Sequence, residues 1–207
     1  MNRRRRAHRY SRRVQSSDRV AAVEAKRDDP RYQRLMEATR AVAQDGYDAV
    51  SMRQLAKTCR LSMKTIYKFC RSKDQLIAEA HLGGMTNFRA RVAAHPAPGA
   101  TPEERVLRVM RSFVDALEAD ETRSRTMLRA LYSPDAEVGE TRALVGDTFA
   151  TILDAALGDT ELASRDAAIG TLAHVMDSVI IGWLSRRHDV AWVFRELEAA
   201  VRVILRE

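Results

Sequence analysis

Residues 51–75 read "SMRQLAKTCRLSMKTIYKFCRSKDQ". Ser51 with Gln54, and Ser72 with Gln75, have the form of a capping box, in which the serine hydroxyl accepts a backbone N–H and the glutamine reaches back. Ser62 places the same small hydroxyl at the head of "MKTIYKF". These signals predict a helix over 51–58, a turn at "CRL", a helix over 62–69 and a further helix opening at 72–75. Ile66 and Phe69 fall on the inner side of the 62–69 helix; Lys64, Thr65, Tyr67 and Lys68 are left outward. Upstream, Asp29 and Pro30 suit the start of a helix that carries Tyr32, Leu35, Met36, Thr39, Val42 and Ala43 on one face and stops at Gly46. Three short helices with a tight turn between the second and third describe a helix-turn-helix.

Arg60, Lys64 and Lys68 recur at four-residue steps and so share a helix face. Such a stripe alone is usually a solvated surface. Its setting between capped helices, in a stretch with no acidic residue from 49 to 73, points to a polyanion.

The charge of the whole chain supports this. The 207 residues carry a net +7. Residues 1–28 hold nine Arg and one Lys against three acids, and residues 29–73 hold ten basic side chains against four acids. Residues 74–207 reverse the balance, with 15 Arg against 21 acids. A basic third joined to a mildly acidic remainder suggests a polyanion-binding part attached to a part with another task. The start, "MNRRRRAHRYSRRVQSS", shares the Arg- and Ser-rich composition of a transit peptide but lacks apolar residues at helical spacing. It is expected to be a disordered basic arm. No apolar run approaches the roughly 18 residues that a membrane span needs. Cys59 and Cys70 are too few for a disulfide framework or a metal quartet, and no cofactor or metal is expected.

The remainder reads as helices only, for about nine in all. Residues 74–94 form one, "HPAPGATPEE" is a linker, Thr101 caps the next, and 122–132 form a short one. Leu144, Val145, Phe149, Ile152 and Ala156 mark another, ended by Gly158. Residues 162–187 are expected to be the longest, and 190–206 the last. The fold class is all-α. The expected division is an arm over 1–28, a DNA-binding domain over 29–73 and a larger domain over 74–207.

The stretch "GYDAVSMRQLAKTCRLSMKTIYKFCRSKDQLI" resembles the DNA-binding segment of the TetR family of bacterial repressors. The resemblance rests on Gly46-Tyr47, the Leu55-Ala56 pair, Ser62, Thr65-Ile66-Tyr67 and Ser72-Lys73. Three positions depart from the pattern: Arg60 stands where Gly is usual, Cys70 where Phe is usual and Arg71 where Pro is usual. In the second half, "MLRALYSPDAEVG" and "GWLSRRHDVAWVFRELEAAVRVIL" are similar to the KstR-type repressors of steroid catabolism in actinobacteria.

The resemblance implies that Ser62–Phe69 enters the major groove. Lys64 and Lys68 would then face guanine edges, Met63 a thymine methyl, and Thr65 and Tyr67 phosphate oxygens. Lys73 and Arg53 would contact the backbone, and Arg3, Arg4, Arg5 and Arg6 of the arm would add minor-groove or nonspecific attraction. It also implies a cytoplasmic, nucleoid-associated homodimer with no membrane partner. Its dimer interface would use Trp183, Leu184, Trp192, Val193, Leu197, Val201 and Ile204. The implied effector is small and largely apolar, of steroid or acyl-CoA type. Its pocket would draw on Met85, Phe88, Met110, Phe113, Leu117, Met127, Leu131, Tyr132, Phe149 and Met176, with His174 and Asp177 orienting a polar group. Mid-helix Gly83-Gly84 would kink the helix or make room for that ligand. An enzyme is disfavoured, since no phosphate loop, HExxH or GxSxG occurs. The competing expectation is a nonspecific nucleoid or RNA-binding helical protein that uses the arm.

Overall fold

The computed structural model describes residues 26–205, so the arm with Arg3, Arg4, Arg5 and Arg6 lies outside the described residues. These contain nine α-helices and no strand. Helices α1 (Pro30–Val42), α2 (Met52–Thr58) and α3 (Met63–Phe69) come first. Then follow α4 (Lys73–Ala94), α5 (Pro102–Glu118), α6 (Glu121–Leu131), α7 (Ala136–Leu157), α8 (Arg165–Leu184) and α9 (Val190–Ile204).

The punctuation follows the side chains. Asp29 accepts from the Arg31 N–H at 2.8 Å, and Ser62 and Ser72 accept from the Thr65 and Gln75 N–H at 3.0 Å each. At Ser51 only half of the expected box forms, with the Gln54 N–H donating at 3.4 Å. Gln75 does reach back, but to the N–H of Arg71 at 2.6 Å, one residue before the cap. That N–H is a donor the usual proline would lack.

Two boundaries differ from expectation. The longest helices are α4 and α7, with 22 residues each, and α8 has 20. Helix α7 starts well before Leu144 because Asp135 caps it, accepting from the Glu137 N–H at 2.9 Å, and buried Val138 seats its first turn. Helix α8 stops at Leu184 because Arg186 adopts φ 60° and the Arg187 and His188 N–H groups return to the Gly182 carbonyl. Helix α8 is also long and apolar enough by composition to cross a membrane, with a mean hydropathy of 1.5, which no run in the sequence was expected to reach. Its Ile169, Leu172, Met176, Val179, Ile180 and Trp183 are buried in this chain's core, the ordinary reason for such a helix.

Two main cores result. The first gathers Tyr32, Leu35, Leu55, Ile66 and Phe69 with Leu76 and Ile77 of α4 and Met127 and Ala130 of α6. The second runs from Met85 of α4 through α5, α7 and α8 to α9. Helix α4 belongs to both. Within it, buried Glu79 takes the Tyr32 hydroxyl at 2.6 Å and the Lys26 ammonium at 2.8 Å, fixing α1 against α4. These partners supply the hydrogen bonds that a buried carboxylate requires.

The α2–α3 turn closes as a helix end in which Arg60 takes the left-handed position, φ 53°. The Arg60 N–H donates to Lys57 O at 3.1 Å and the Leu61 N–H to Ala56 O at 2.8 Å, the double bond pattern that glycine usually closes. Glycine avoids the left-handed penalty on an L-residue, about 1–2 kcal/mol, but loses more entropy on folding. Arg60→Gly should therefore raise stability by about 1 kcal/mol in urea titration with an unchanged denaturant slope.

Candidate nucleic-acid interface and effector cavity

Helix α3 turns Ile66 and Phe69 inward and leaves Lys64, Tyr67 and Lys68 exposed, with Tyr67 at 52%. Met63 is half-buried against the first core. The Ser62 and Thr65 hydroxyls lie 2.9 Å apart and hydrogen-bond each other. On α2 and its turn, Arg53, Lys57 and Arg60 are exposed, so α2 and α3 present one cationic surface. Arg71 is directed elsewhere: its guanidinium meets Glu137 of α7 at 3.0 Å. Cys70 is fully buried beside the Tyr32–Phe69 edge contact, whose ring centroids are 5.6 Å apart. Burial pushes its thiol up to about 12, so it stays protonated and unreactive.

Lys73 packs against an aromatic ring. Its ammonium lies 3.9 Å from the centre of the Tyr47 ring, which the Arg129 guanidinium also approaches at 3.7 Å. The Tyr47 hydroxyl donates to Asp74 in the first turn of α4. Burial, reinforced by that bond, raises the phenol to about 12. Asp74 takes a second hydroxyl from Ser133 at 2.5 Å, in the loop between α6 and α7. Sequence reasoning missed this link, because nothing in the spacing brings residues 47, 74 and 133 together.

The adjacent residue, Tyr132, lines a cavity of about 440 Å³ between α4, α5, α6, α7 and α8. Met85, Phe113, Leu117, Met127, Leu131, Phe149, Met176, His174 and Asp177 also line it. Phe88 and Met110 do not: Phe88 packs on Phe113 with centroids 5.5 Å apart, and Met110 is wholly buried in the second core. His174 and Asp177, expected to orient a polar ligand group, both line the cavity, and each hydrogen-bonds another part of the protein. His174 Nδ1 meets the Gly170 carbonyl at 2.6 Å, and Asp177 accepts from the Tyr132 hydroxyl. The lining also includes His81, Arg142, Val145 and Asp147. Burial, with Arg123 adding to it, holds the His81 imidazole down to about 4, so it is neutral at physiological pH. Gly83 serves a different purpose from the expected ligand space. A Cβ there would lie 2.9 Å from Arg40 Nη1, so glycine lets the Arg40 side chain cross α4.

Of the residues expected at a dimer interface, Trp183, Leu184, Val193, Leu197 and Val201 are buried in the chain's own core. Trp192 and Ile204 are half-buried, and Val203 is 74% exposed. Trp192 stacks on His188 at 3.8 Å above Gly182, where a Cβ would meet both rings.

The sequence carries two family matches. Residues 35–80 match the model of bacterial regulatory proteins of the tetR family, and residues 99–204 match that of the tetracyclin repressor-like C-terminal domain. The chain belongs to the TetR family. It is therefore a DNA-binding, ligand-responsive transcriptional regulator, and its exposed α3 is the second helix of the family's helix-turn-helix. It is 29% identical over 187 residues to the transcriptional repressor KstR of Mycobacterium tuberculosis, covering 88% of this chain and 83% of that protein. It is 29% identical to KstR of Rhodococcus jostii, covering 91% of this chain and 92% of that protein. Among solved structures, a TetR transcriptional regulator from Rhodococcus sp. superposes with a TM-score of 0.75 at 20% identity, covering 86% of this chain and 96% of that one. The FadR regulator of Bacillus subtilis, solved with stearoyl-CoA, superposes at 0.58 and 16% identity, covering 84% and 98%. These two superpositions show the shared TetR fold.

Two outcomes follow from this geometry. Asp74→Ala leaves two half-buried hydroxyls without their acceptor and should cost about 1–3 kcal/mol in urea denaturation. His81 has a folded pKa below its unfolded one, so the unfolded chain takes the proton first as pH falls. Its contribution is complete above about pH 6.5 and is lost progressively toward pH 4. Melting temperature should thus fall less over this window in His81→Gln than in the parent protein.

Proposed function

We propose that this TetR-family regulator is a dimeric repressor that holds a two-fold operator through α3 and releases it when a largely apolar effector fills the cavity. The observation that carries this reading is the adjacency of Tyr132 and Ser133. Tyr132 lines the cavity wall, and Ser133 hydrogen-bonds Asp74, which holds Tyr47 beside the helix-turn-helix. A ligand that displaces Tyr132 also displaces Ser133 and loosens that hold. Release then reflects stronger ligand binding to the displaced state than to the DNA-binding state.

In this reading residues 29–73 bind DNA, residues 74–207 receive effector and partner, and the protein acts on cytoplasmic DNA. Lys64 and Lys68 read bases, while Arg53, Lys57, Arg60, Ser62, Thr65 and Tyr67 meet phosphates and Met63 stays close to the groove edge. The Arg-rich arm, with Arg3, Arg4, Arg5 and Arg6, adds salt-sensitive attraction. The outward strip Trp192, Ala199 and Val203, at seven- and four-residue steps on α9, forms the centre of the dimer contact. The effector is a steroid or an acyl-CoA-type metabolite. Repression accords with the named function of both KstR relatives, and the acyl-CoA class with the ligand of the FadR neighbour. The cavity, at about 440 Å³, lies within the size range of small-molecule sites.

Selection of bound fragments from genomic DNA should return a palindrome with half-sites about 34–36 Å apart. Equal recovery of all sequences would instead support a nonspecific nucleoid role. Lys64→Ala should weaken binding to the selected site by about 1–3 kcal/mol and relax base preference at one position per half-site. Lys57→Ala should weaken all duplexes alike and lower the salt slope by about one. Val203→Glu should produce monomers in sedimentation and abolish palindrome binding; a dimer that still binds would refute this interface.

A further inference from the structure

The effector cavity has an apolar body and an uneven distribution of polar groups. Arg142, Asp147, His174 and Asp177 line it and are exposed, so they form its mouth. Among the groups away from that mouth, Ser124 already donates to the Leu117 carbonyl at 2.8 Å. His81 is different. It comes from α4, between buried Ala80 and Leu82, and its ring has no hydrogen-bond partner among the described residues. His174, by contrast, is satisfied by the Gly170 carbonyl. The ring is half-buried and lines the cavity, so its two nitrogens are open to hydrogen-bond whatever enters that space.

We infer that His81 is the inner polar anchor of the effector site, and that the effector carries a neutral carbonyl or hydroxyl oxygen at the end of an apolar body. This rests on the reading of the cavity as the effector site and adds the ligand's chemistry to it. The imidazole is neutral there. One ring nitrogen therefore donates and the other accepts, which matches a ketone, an ester carbonyl or an alcohol. A carboxylate is disfavoured at that depth, because it would be desolvated opposite an uncharged ring. Arg123, the cation whose charge acts on the ring, is already engaged with Asp120 at 3.3 Å.

The test is displacement of the neutral fluorophore N-phenyl-1-naphthylamine by 2-dodecanone, 1-dodecanol and dodecane at pH 7.5. It compares the parent protein with His81→Leu and His81→Gln, each checked for an unchanged melting transition. In the parent protein the ketone and the alcohol should compete well despite their stronger hydration. In His81→Leu their affinity should fall about tenfold, the scale of one buried hydrogen bond lost, while dodecane is unaffected. His81→Gln, which keeps a donor and an acceptor, should restore most of the loss. Equal losses for dodecane and 2-dodecanone, or no loss for either, would overturn the role of His81 alone. Failure of the fluorophore and all three chains to bind would overturn the cavity as an effector site, and this inference with it.

Discussion

One carboxylate joins the two halves of the chain. Asp74 stands in the first turn of α4, where the free N–H groups and the helix dipole favour a negative charge. It accepts the Tyr47 hydroxyl from the DNA-binding side and the Ser133 hydroxyl from the cavity side. Hydrogen bonds to an ionised acceptor contribute about 1.5–3 kcal/mol each. Asp74 is therefore stabilised by two segments that do not otherwise touch it in sequence. One turn further along α4, Glu79 does the same for α1 through Tyr32 and Lys26. The helix that crosses both cores thus carries two carboxylates, and each fixes a separate part of the helix-turn-helix unit.

That arrangement puts the cavity wall and the helix-turn-helix only a few contacts apart. The Tyr47 ring sits against Lys73 and Arg129, so two cations meet one aromatic ring whose hydroxyl is already held by Asp74. Arg129 lies on α6, two residues after Met127, which belongs to the first core and also lines the cavity. Helix α6 consequently contacts the effector space and the DNA-binding core with neighbouring residues. In the proposed mechanism, displacement of Tyr132 or Met127 would reach Tyr47 and Asp74 through these contacts.

The DNA-binding segment was legible in sequence because its signals are local. A serine cap, a four-residue cationic step and a tight turn all operate within ten residues, and α2 and α3 appear within one residue of expectation. The cavity was partly legible, since methionines and phenylalanines at helical spacing mark the inner faces. Periodicity does not separate a residue that lines a cavity from one that fills the core. Phe88 and Met110 therefore pack where Phe113 and Met85 line. His81 was invisible for the complementary reason: a lone histidine in an apolar helix carries no pattern, and only the position of α6 and α7 over it reveals the space it faces. Trp183, Leu197 and Val201 were expected to face a partner because the family resemblance implies an interface built from the last two helices. The α8–α9 pair uses them to close its own core.

The two arginines that replace glycine and proline around α3 resolve differently, and the difference is physical. Arg71 uses what a proline would lack, donating its N–H to Gln75 and its guanidinium to Glu137. The substitution adds a contact between α7 and the start of α4. Arg60 gains no partner among the described residues and takes a left-handed backbone instead. Its side chain points outward on the same cationic surface as Lys57 and Lys64. A strained, unpaired cation does not stabilise the isolated fold; in the proposed complex a phosphate would supply the missing partner. Arg60→Gly should therefore separate the two effects, raising stability in the free protein while weakening its attraction to DNA. A residue that opposes folding and favours binding in this way is the expected signature of a contact that exists only in the complex.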